Sequence, residues 1–166
     1  MKHQRGFTLL EILLVVAIIA MIAAGAVAIQ SDRLNAKGIQ RQTVERFSKT
    51  LEYAADWALL EKHAVGLRLA SKGWSYFQPE KVSSGEWQWR LVVKHDFLSL
   101  SGLWPEPHPP EILPATDTDG PQIMILPDGT ITPFTLIFSD ETGTRFLRAR
   151  CEGSLPLELN AGGISP

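Results

Sequence analysis

Three groups of side chains in the sequence are of types that could carry chemistry. The first group is His95 and Asp96 with His108, close in sequence to Ser99 and Ser101. A serine hydrolase needs a nucleophile, a base and an orienting acid that converge in space, commonly with the serine on a tight turn. The sequence contains no G-x-S-x-G pattern. We therefore predict that these residues belong to a solvated loop and that the protein is not an enzyme.

The second group, Asp117-Thr118-Asp119-Gly120, spaces two carboxylates as a cation-binding turn does. An EF-hand loop needs its glycine at the sixth position and a bidentate glutamate at the twelfth. Here the glycine is fourth and the twelfth residue is Asp128. A polar turn is predicted, no metal or other cofactor is expected, and an irregular calcium site at Asp117 and Asp119 stays open as the alternative.

The single cysteine, Cys151, limits two further kinds of chemistry. An intrachain disulfide and a zinc site built from paired cysteines both need more than one cysteine. A lone cysteine in a strand is most often a small buried apolar side chain. We predict that role for Cys151.

The third group is a set of tryptophans with two nearby cations: Trp74, Trp87, Trp89, Trp104, Arg90 and Lys94. Aromatic rings beside cations stack on nucleic-acid bases, but alternating tryptophans in a strand more often pack on a sheet or in the core. The formal net charge of −2 gives no electrostatic reason to bind nucleic acid. Trp104 precedes a proline-rich stretch and is predicted to be exposed. With Pro105 and His108 it forms the candidate partner-contact loop.

An uncharged apolar run, Ile12 to Ile29, follows a short basic leader. At about 18 residues the run is near the shortest length that crosses a bilayer as a helix. Glu11 stands directly before it, where a carboxylate costs about 2.5–3.5 kcal/mol on insertion scales. A cationic partner for Glu11 is therefore expected. Lys2 and Arg5 favour a cytoplasmic N-terminus and a periplasmic remainder.

The residues from Gly6 to Glu11 read G-F-T-L-L-E. With the basic leader and the apolar run in register, they resemble the signal of type IV pilins and type II secretion pseudopilins. The resemblance implies that a prepilin peptidase cleaves after Gly6 and that Phe7 becomes an N-methylated N-terminus. It also implies that Glu11 pairs with the N-terminal amine of a neighbouring subunit.

Two other interpretations of the N-terminus stay open at this point. A cleaved secretory signal has the same basic and apolar regions. Its cleavage site would lie at Ala24-Gly25-Ala26 or Ala26-Val27-Ala28. The second interpretation is an uncleaved signal anchor. Glu11 and the length of the apolar run argue against the secretory signal.

An amphipathic helix is predicted to follow the apolar run. No proline occurs between Ile39 and Lys62. Apolar residues recur there at spacings of three and four, which places them on one helical face. They are Val44, Phe47, Leu51, Ala54 and Ala58. The predicted N-terminal organisation is a cleaved leader at 1–6, a transmembrane and assembly helix at 7–30, and its amphipathic continuation at 31–63.

Beyond residue 64, alternating apolar and polar residues between turn signals predict antiparallel strands. The predicted strands are 65–69, 74–78, 87–93, 122–126, 131–139, 144–151 and 155–159. A long loop is predicted over 95–121, because its prolines lack backbone donors. The predicted fold class is α+β and pilin-like: the long N-terminal helix packs on an antiparallel β-sheet or sandwich domain at 64–160, and a tail follows at 161–166.

The segment Leu126-Pro127-Asp128-Gly129-Thr130, followed by Thr132-Pro133-Phe134, resembles the C-terminal region of H-type minor pseudopilins of type II secretion systems. The resemblance implies a structural subunit at the tip of a periplasmic pseudopilus, with a single helix in the bacterial inner membrane and the C-terminal domain in the periplasm. The implied partners are prepilin peptidase, other minor pseudopilins and the major pseudopilin. Neither nucleic acid nor a small-molecule substrate is expected.

Two alternatives to this function are retained. A minor pilin of a type IV pilus or DNA-uptake filament would share the N-terminal signal and would contact nucleic acid. A periplasmic hydrolase with a cleaved signal peptide is the more remote alternative.

Overall fold

A computed structural model describes residues 9–96, 98–115 and 119–162, with the backbone alone for residues 23–35. The chain divides into two compact units, Met1–Gly38 and Ile39–Pro166. Helix α1 (Leu9–Glu61) contributes to both units, and all strands belong to the second.

In the first unit, α1 presents apolar side chains to its surroundings. Every side chain from Leu9 to Ile22 is exposed. Within the described residues, no segment of a helix is both long enough and apolar enough to cross a membrane. The predicted span 7–30 extends past the described side chains at both ends.

In the second unit, α1 buries one face. The five apolar residues that the spacing places on that face, Val44 to Ala58, are all buried, and Trp57 extends the buried face. Thr50 lies on it as well, where its hydroxyl donates to the Phe47 carbonyl at 2.8 Å. The helix ends at Glu61, and the next residue, Lys62, has a φ of 55°.

Eleven strands follow the helix in the described part of the chain. They are β1 (Val65–Ala70), β2 (Gly73–Lys81), β3 (Trp87–Val92), β4 (Lys94–His95), β5 (Leu98–Ser99), β6 (Gly102–Leu103), β7 (Glu111–Leu113), β8 (Ile123–Ile125), β9 (Phe134–Ser139), β10 (Arg145–Cys151) and β11 (Glu158–Ala161).

The first sheet has the order β3-β2-β1-β8, and β6 pairs with the start of β2. Its register decides which side chains face the core. Tyr76 lies opposite Leu67 and Val92, and all three are buried. Phe77, one residue along, lies opposite Leu91 on the outer face. The strands of this sheet are antiparallel, as the alternation predicts.

The second sheet has the order β11-β10-β9-β7, and a separate hairpin joins β4 to β5. A register shift interrupts the β9–β10 pairing between Arg145 and Leu147. Cys151 ends β10 as a buried free thiol, which is the role predicted for it. The α+β fold class, an N-terminal helix packed on antiparallel sheets, is confirmed.

The core joins the helix to both sheets through aromatic rings. Phe47 of α1 meets Trp74 of the first sheet and Phe134 of the second edge-on, with ring centroids 5.4 Å and 6.0 Å away. Trp104 lies 4.6 Å from Trp74 and 6.0 Å from Phe138. The space for these rings depends on Gly102, where a Cβ would overlap the Trp74 indole.

The structure differs from three sequence-based expectations about the β region. The segment 95–121 was expected to be one loop, but it contains β5, β6, β7 and the end of β4. The strand expected from residue 131 begins at Phe134, because Pro133 has no N–H to donate to a ladder. Ile131 forms an isolated bridge to Ile125 instead of a strand. Similarly, the last strand, β11, runs to Ala161, one residue into the expected tail.

Candidate assembly site and partner-contact surface

Glu11 lies in the first turn of α1, and its side chain is exposed. A carboxylate in the first helical turn is favoured by the positive end of the helix dipole. The apolar side chains that follow it, from Ile12 to Ile22, are exposed as well. Gly6 and Phe7, the expected cleavage and methylation positions, lie outside the described residues.

Trp104 is not the exposed contact residue that its proline-rich neighbourhood suggests. Its side chain is 4% exposed, and its indole Nε1–H donates to the Ala70 carbonyl at 2.9 Å. The backbone N–H of Trp104 also donates to the Lys72 carbonyl. A proline-rich segment cannot form a regular element, but tertiary packing still buries a large ring within it. The prediction of exposure is wrong.

The rest of the candidate partner-contact loop is partly fixed to the helix. Pro105 and His108 are half-buried. The side-chain amide of Gln40, itself buried on α1, donates to the His108 carbonyl at 3.3 Å. The exposed positions of this loop are Glu106, Pro107 and Pro109.

The exposed tryptophans are Trp87 and Trp89, at 69% and 40% exposure, whereas Trp74 is buried. The expectation that alternating tryptophans pack on a sheet or in the core is therefore wrong for β3, where both side chains are exposed. The cause is position, because β3 is the terminal strand of its sheet. The alternation at residues 87, 89, 91 and 93 was the available signal for an apolar outer surface.

His95 and Asp96 meet at the hydroxyl of Tyr53 on α1. This hydroxyl donates to Asp96 Oδ2 at 2.9 Å and lies 2.8 Å from His95 Nδ1. The other ring nitrogen of His95, Nε2, is 3.5 Å from a carboxylate oxygen of Glu61. Both ring nitrogens therefore face groups of the helix. Desolvation, followed by the hydrogen bond to Asp96, raises the pKa of Tyr53.

This cluster attaches the β4–β5 hairpin to the helix. The His95 ring also stacks on Trp57, with centroids 4.2 Å apart. Ser99 lies opposite Lys94 in the hairpin. His95, the candidate base of a hydrolase triad, therefore has a structural role. Its imidazole faces the helix.

The second chemical candidate, the aspartate-rich turn, is only partly described. Asp117 lies outside the described residues, and the carbonyl of Asp119 accepts a hydrogen bond from Arg68 Nη1 at 2.8 Å. Among the described residues, no three His, Cys, Asp or Glu side chains are grouped as metal ligands.

The residues that carry the resemblance to H-type pseudopilins form a tight turn between the two sheets. Gly129 has a φ of 86°, a conformation that glycine adopts without strain. The Thr130 N–H donates to Asp128 Oδ1 at 2.9 Å, and bonds from the Thr130 backbone and hydroxyl lower the pKa of Asp128. The Ile131 N–H then donates to the Gly153 carbonyl. The motif therefore connects elements of the fold.

Two protein-family descriptions match separate parts of the chain. Residues 1–27 match the prokaryotic N-terminal methylation motif. Residues 43–154 match type II transport protein GspH.

Individual relatives agree with these matches. The type II secretion system protein H of Escherichia coli K12 is 35% identical, covering 95% of this chain and 95% of that protein. The protein of the same name from Klebsiella michiganensis is 30% identical over 99% and 100% of the two chains.

Solved structures share the fold. The solution structure of E. coli GspH has a TM-score of 0.62 and 31% sequence identity, covering 75% of this chain and 89% of that one. The crystal structure of the Vibrio cholerae minor pseudopilin EpsH, at 19% identity, has a TM-score of 0.59 and covers 78% and 99%. The chain belongs to the GspH family of type II secretion proteins.

Proposed function

We propose that this protein is a minor pseudopilin, a structural and non-catalytic tip subunit of the periplasmic pseudopilus in type II secretion. One observation carries the proposal: a continuous series of exposed apolar side chains, Ile12 to Ile22, directly follows an acidic residue in the first turn of α1. A subunit that enters a helical filament needs such a surface, and membership of the GspH family supports the same role.

Maturation precedes assembly in this proposal. Prepilin peptidase cleaves between Gly6 and Phe7, and Phe7 is then N-methylated. The match of residues 1–27 to the N-terminal methylation motif supports this step. Before assembly, the segment 7–30 anchors the subunit in the inner membrane, with the following amphipathic segment 31–63 and the β domain 64–160 in the periplasm.

The assembly step exchanges one apolar environment for another. Each large aliphatic side chain removed from water contributes about 1.5–3 kcal/mol, so exposed residues such as Leu13 and Ile19 need lipid or neighbouring helices around them. A carboxylate at the edge of that environment is costly unless it meets a cation. The amine of a neighbouring mature N-terminus is the cation proposed for Glu11.

The processing step is tested by the intact mass and the N-terminal residue of the full chain isolated from membranes with and without prepilin peptidase. The proposal predicts N-methyl-Phe7 only when the peptidase is present. An untouched Met1 in both preparations, or an N-terminus near Ala28, contradicts it.

A matched pair of variants separates recognition of the signal from general damage to the helix. Gly6→Glu places a charge at the cleavage position and should leave the precursor uncut. Gly38→Glu places the same charge on α1 at a glycine whose added Cβ meets nothing within 4 Å, and this variant should be cut normally. Equal cleavage of the two variants contradicts the assignment of Gly6.

A further inference from the structure

The outer face of the first sheet carries an apolar strip along one edge, which we call the β3 strip. It consists of Trp87, Trp89, Leu91, Val93 and Leu103. Lys81, Pro79 and Phe77 of β2 lie opposite the first three of these residues, and Gly73 lies opposite Leu103. The exposed fractions of the strip residues run from 40% to 76%.

The edge beside this strip lacks the usual protections of a terminal strand. Native sheets shield such edges with prolines, charges, bulges or very short strands. The six residues of β3 contain no proline and one charge, Arg90, which pairs with Glu80 at 3.4 Å. All six residues pair with β2 without a register shift, so the strand stays regular along its open side.

The other terminal strands of the described sheets each have a protective feature. β7 has three residues and lies between Pro110 and Pro114. β8 is equally short, and Pro121 and Pro127 flank it. β11 has four residues, two fewer than β3, and Leu159 is the single large apolar residue among them. Among these edges, β3 is the one suited to accept another strand.

The size of the strip indicates what kind of partner covers it. Its exposed apolar area is on the order of 500 Å², at the upper end for single patches on monomers. A stable two-protein interface buries about 800 Å² on each side. The strip is therefore too small to hold a separate dimer together, but it suits a lateral contact between proteins already joined elsewhere.

We propose that an extended segment of an adjacent, different pilin-like subunit of the same filament pairs with the open edge of β3 and covers the β3 strip. This inference rests on the proposed function, because the helices of the filament supply the joining contact. The segment would alternate apolar residues on the face that meets Trp87, Trp89 and Leu91. Exposed Lys81 and Lys94 lie at the two ends of β3, so acidic residues at the ends of the segment complete the match.

The test uses the full chain in its secretion-competent host, with a photoreactive residue at position 91 or, as the matched control, at position 159. Leu91 and Leu159 are 50% and 46% exposed, and both lie on terminal strands. The inference predicts that position 91 crosslinks to an extended segment of another pseudopilin, whereas position 159 does not. Adducts of position 91 only with lipid, only with a second copy of this chain, or with nothing overturn it.

A pair of charge substitutions gives a second readout. Leu91→Lys should reduce incorporation into the pseudopilus fraction by about tenfold, because pairing would bury an unmatched ammonium group. Leu159→Lys should change incorporation less than about twofold, because an exposed surface change has little effect. Equal incorporation of the two variants contradicts the β3 contact.

The behaviour of the wild-type chain shows which proposal has failed, the β3 contact or the function as a minor pseudopilin. If the wild-type chain is processed and incorporated but the result at position 91 is negative, the β3 contact alone is wrong. If the wild-type chain is never incorporated into a pseudopilus, the proposed function fails and the contact fails with it.

Discussion

The Tyr76 hydroxyl is buried where α1 packs on the first sheet. Its oxygen lies 3.2 Å from Thr50 Oγ1, and burial raises the pKa of Tyr76 far above its ordinary value. The unfolded chain ionises this group at about pH 10. Because the folded-state pKa is higher, the stabilisation is complete below pH 10 and is lost as the pH rises above it.

Tyr76→Phe should therefore change how stability depends on alkaline pH. At pH 7 the loss of one hydrogen bond should cost about 1 kcal/mol. Above about pH 10 the variant should lose less stability than the wild type, since it has no hydroxyl to ionise at this position. Urea unfolding from pH 7 to pH 11 measures both effects. An alkaline slope identical to that of the wild type contradicts the burial argument.

Trp104 is buried and Trp87 is exposed, so their replacement should affect stability differently. Trp104→Ala should destabilise the domain by about 3–5 kcal/mol, because it empties a packed aromatic core. Trp87→Ala, at a side chain that is 69% exposed, should cost less than about 1 kcal/mol. Denaturant unfolding of the two variants provides the comparison. Equal losses of stability contradict the assignment of Trp104 to the core.

Among the elements, the end of α1 contains a strained residue. Lys62 follows the helix with a φ of 55°, a left-handed conformation that costs residues with a Cβ about 1 kcal/mol. Lys62→Gly should raise the free energy of unfolding by about 0.5–1 kcal/mol. Lys62→Ala removes the same charge but keeps the Cβ, so it should give no such gain. Thermal unfolding measures the difference, and equal stabilities contradict the strain argument.

The helix and the strands differ in how well the sequence predicts their positions. The buried face of α1 follows from the apolar spacing between Val44 and Ala58, because helical periodicity extends over several turns. The alternation of apolar and polar residues predicts four of the longer strands, β1, β2, β9 and β10. β4 to β7 were missed because two or three residues are too short to show any period.

Side-chain burial is harder to predict than element type. Trp104 lies in a segment whose prolines indicate irregular backbone, and nothing local to it shows that Trp74 and Phe47 enclose its ring. For Trp87 and Trp89 the alternation indicates a strand, but it does not indicate whether that strand is central or terminal in the sheet. Both errors concern long-range neighbours, which local patterns do not encode.

At the scale of the whole molecule, the proposed assembly depends on Glu11. Glu11→Ala leaves the basic leader, Gly6 and Phe7 unchanged, so cleavage and methylation should proceed. Assembly should fall by about tenfold or more, because the amine of a neighbouring subunit would lose its partner in an apolar environment. Glu45→Ala, at an exposed glutamate of the same helix, should assemble like the wild type. The pseudopilus fraction of each variant provides the measurement.

Secretion by living cells tests directly whether this chain acts as an assembling pseudopilin. A strain of the native host that lacks this gene is supplied with the wild-type chain, with Glu11→Ala or with Glu45→Ala, and the fraction of a type II substrate outside the outer membrane is measured. We expect the wild-type chain and Glu45→Ala to restore secretion, and we expect Glu11→Ala to be processed but not to restore it. Normal secretion without the gene, or full restoration by Glu11→Ala, would contradict a role as an assembling pseudopilin.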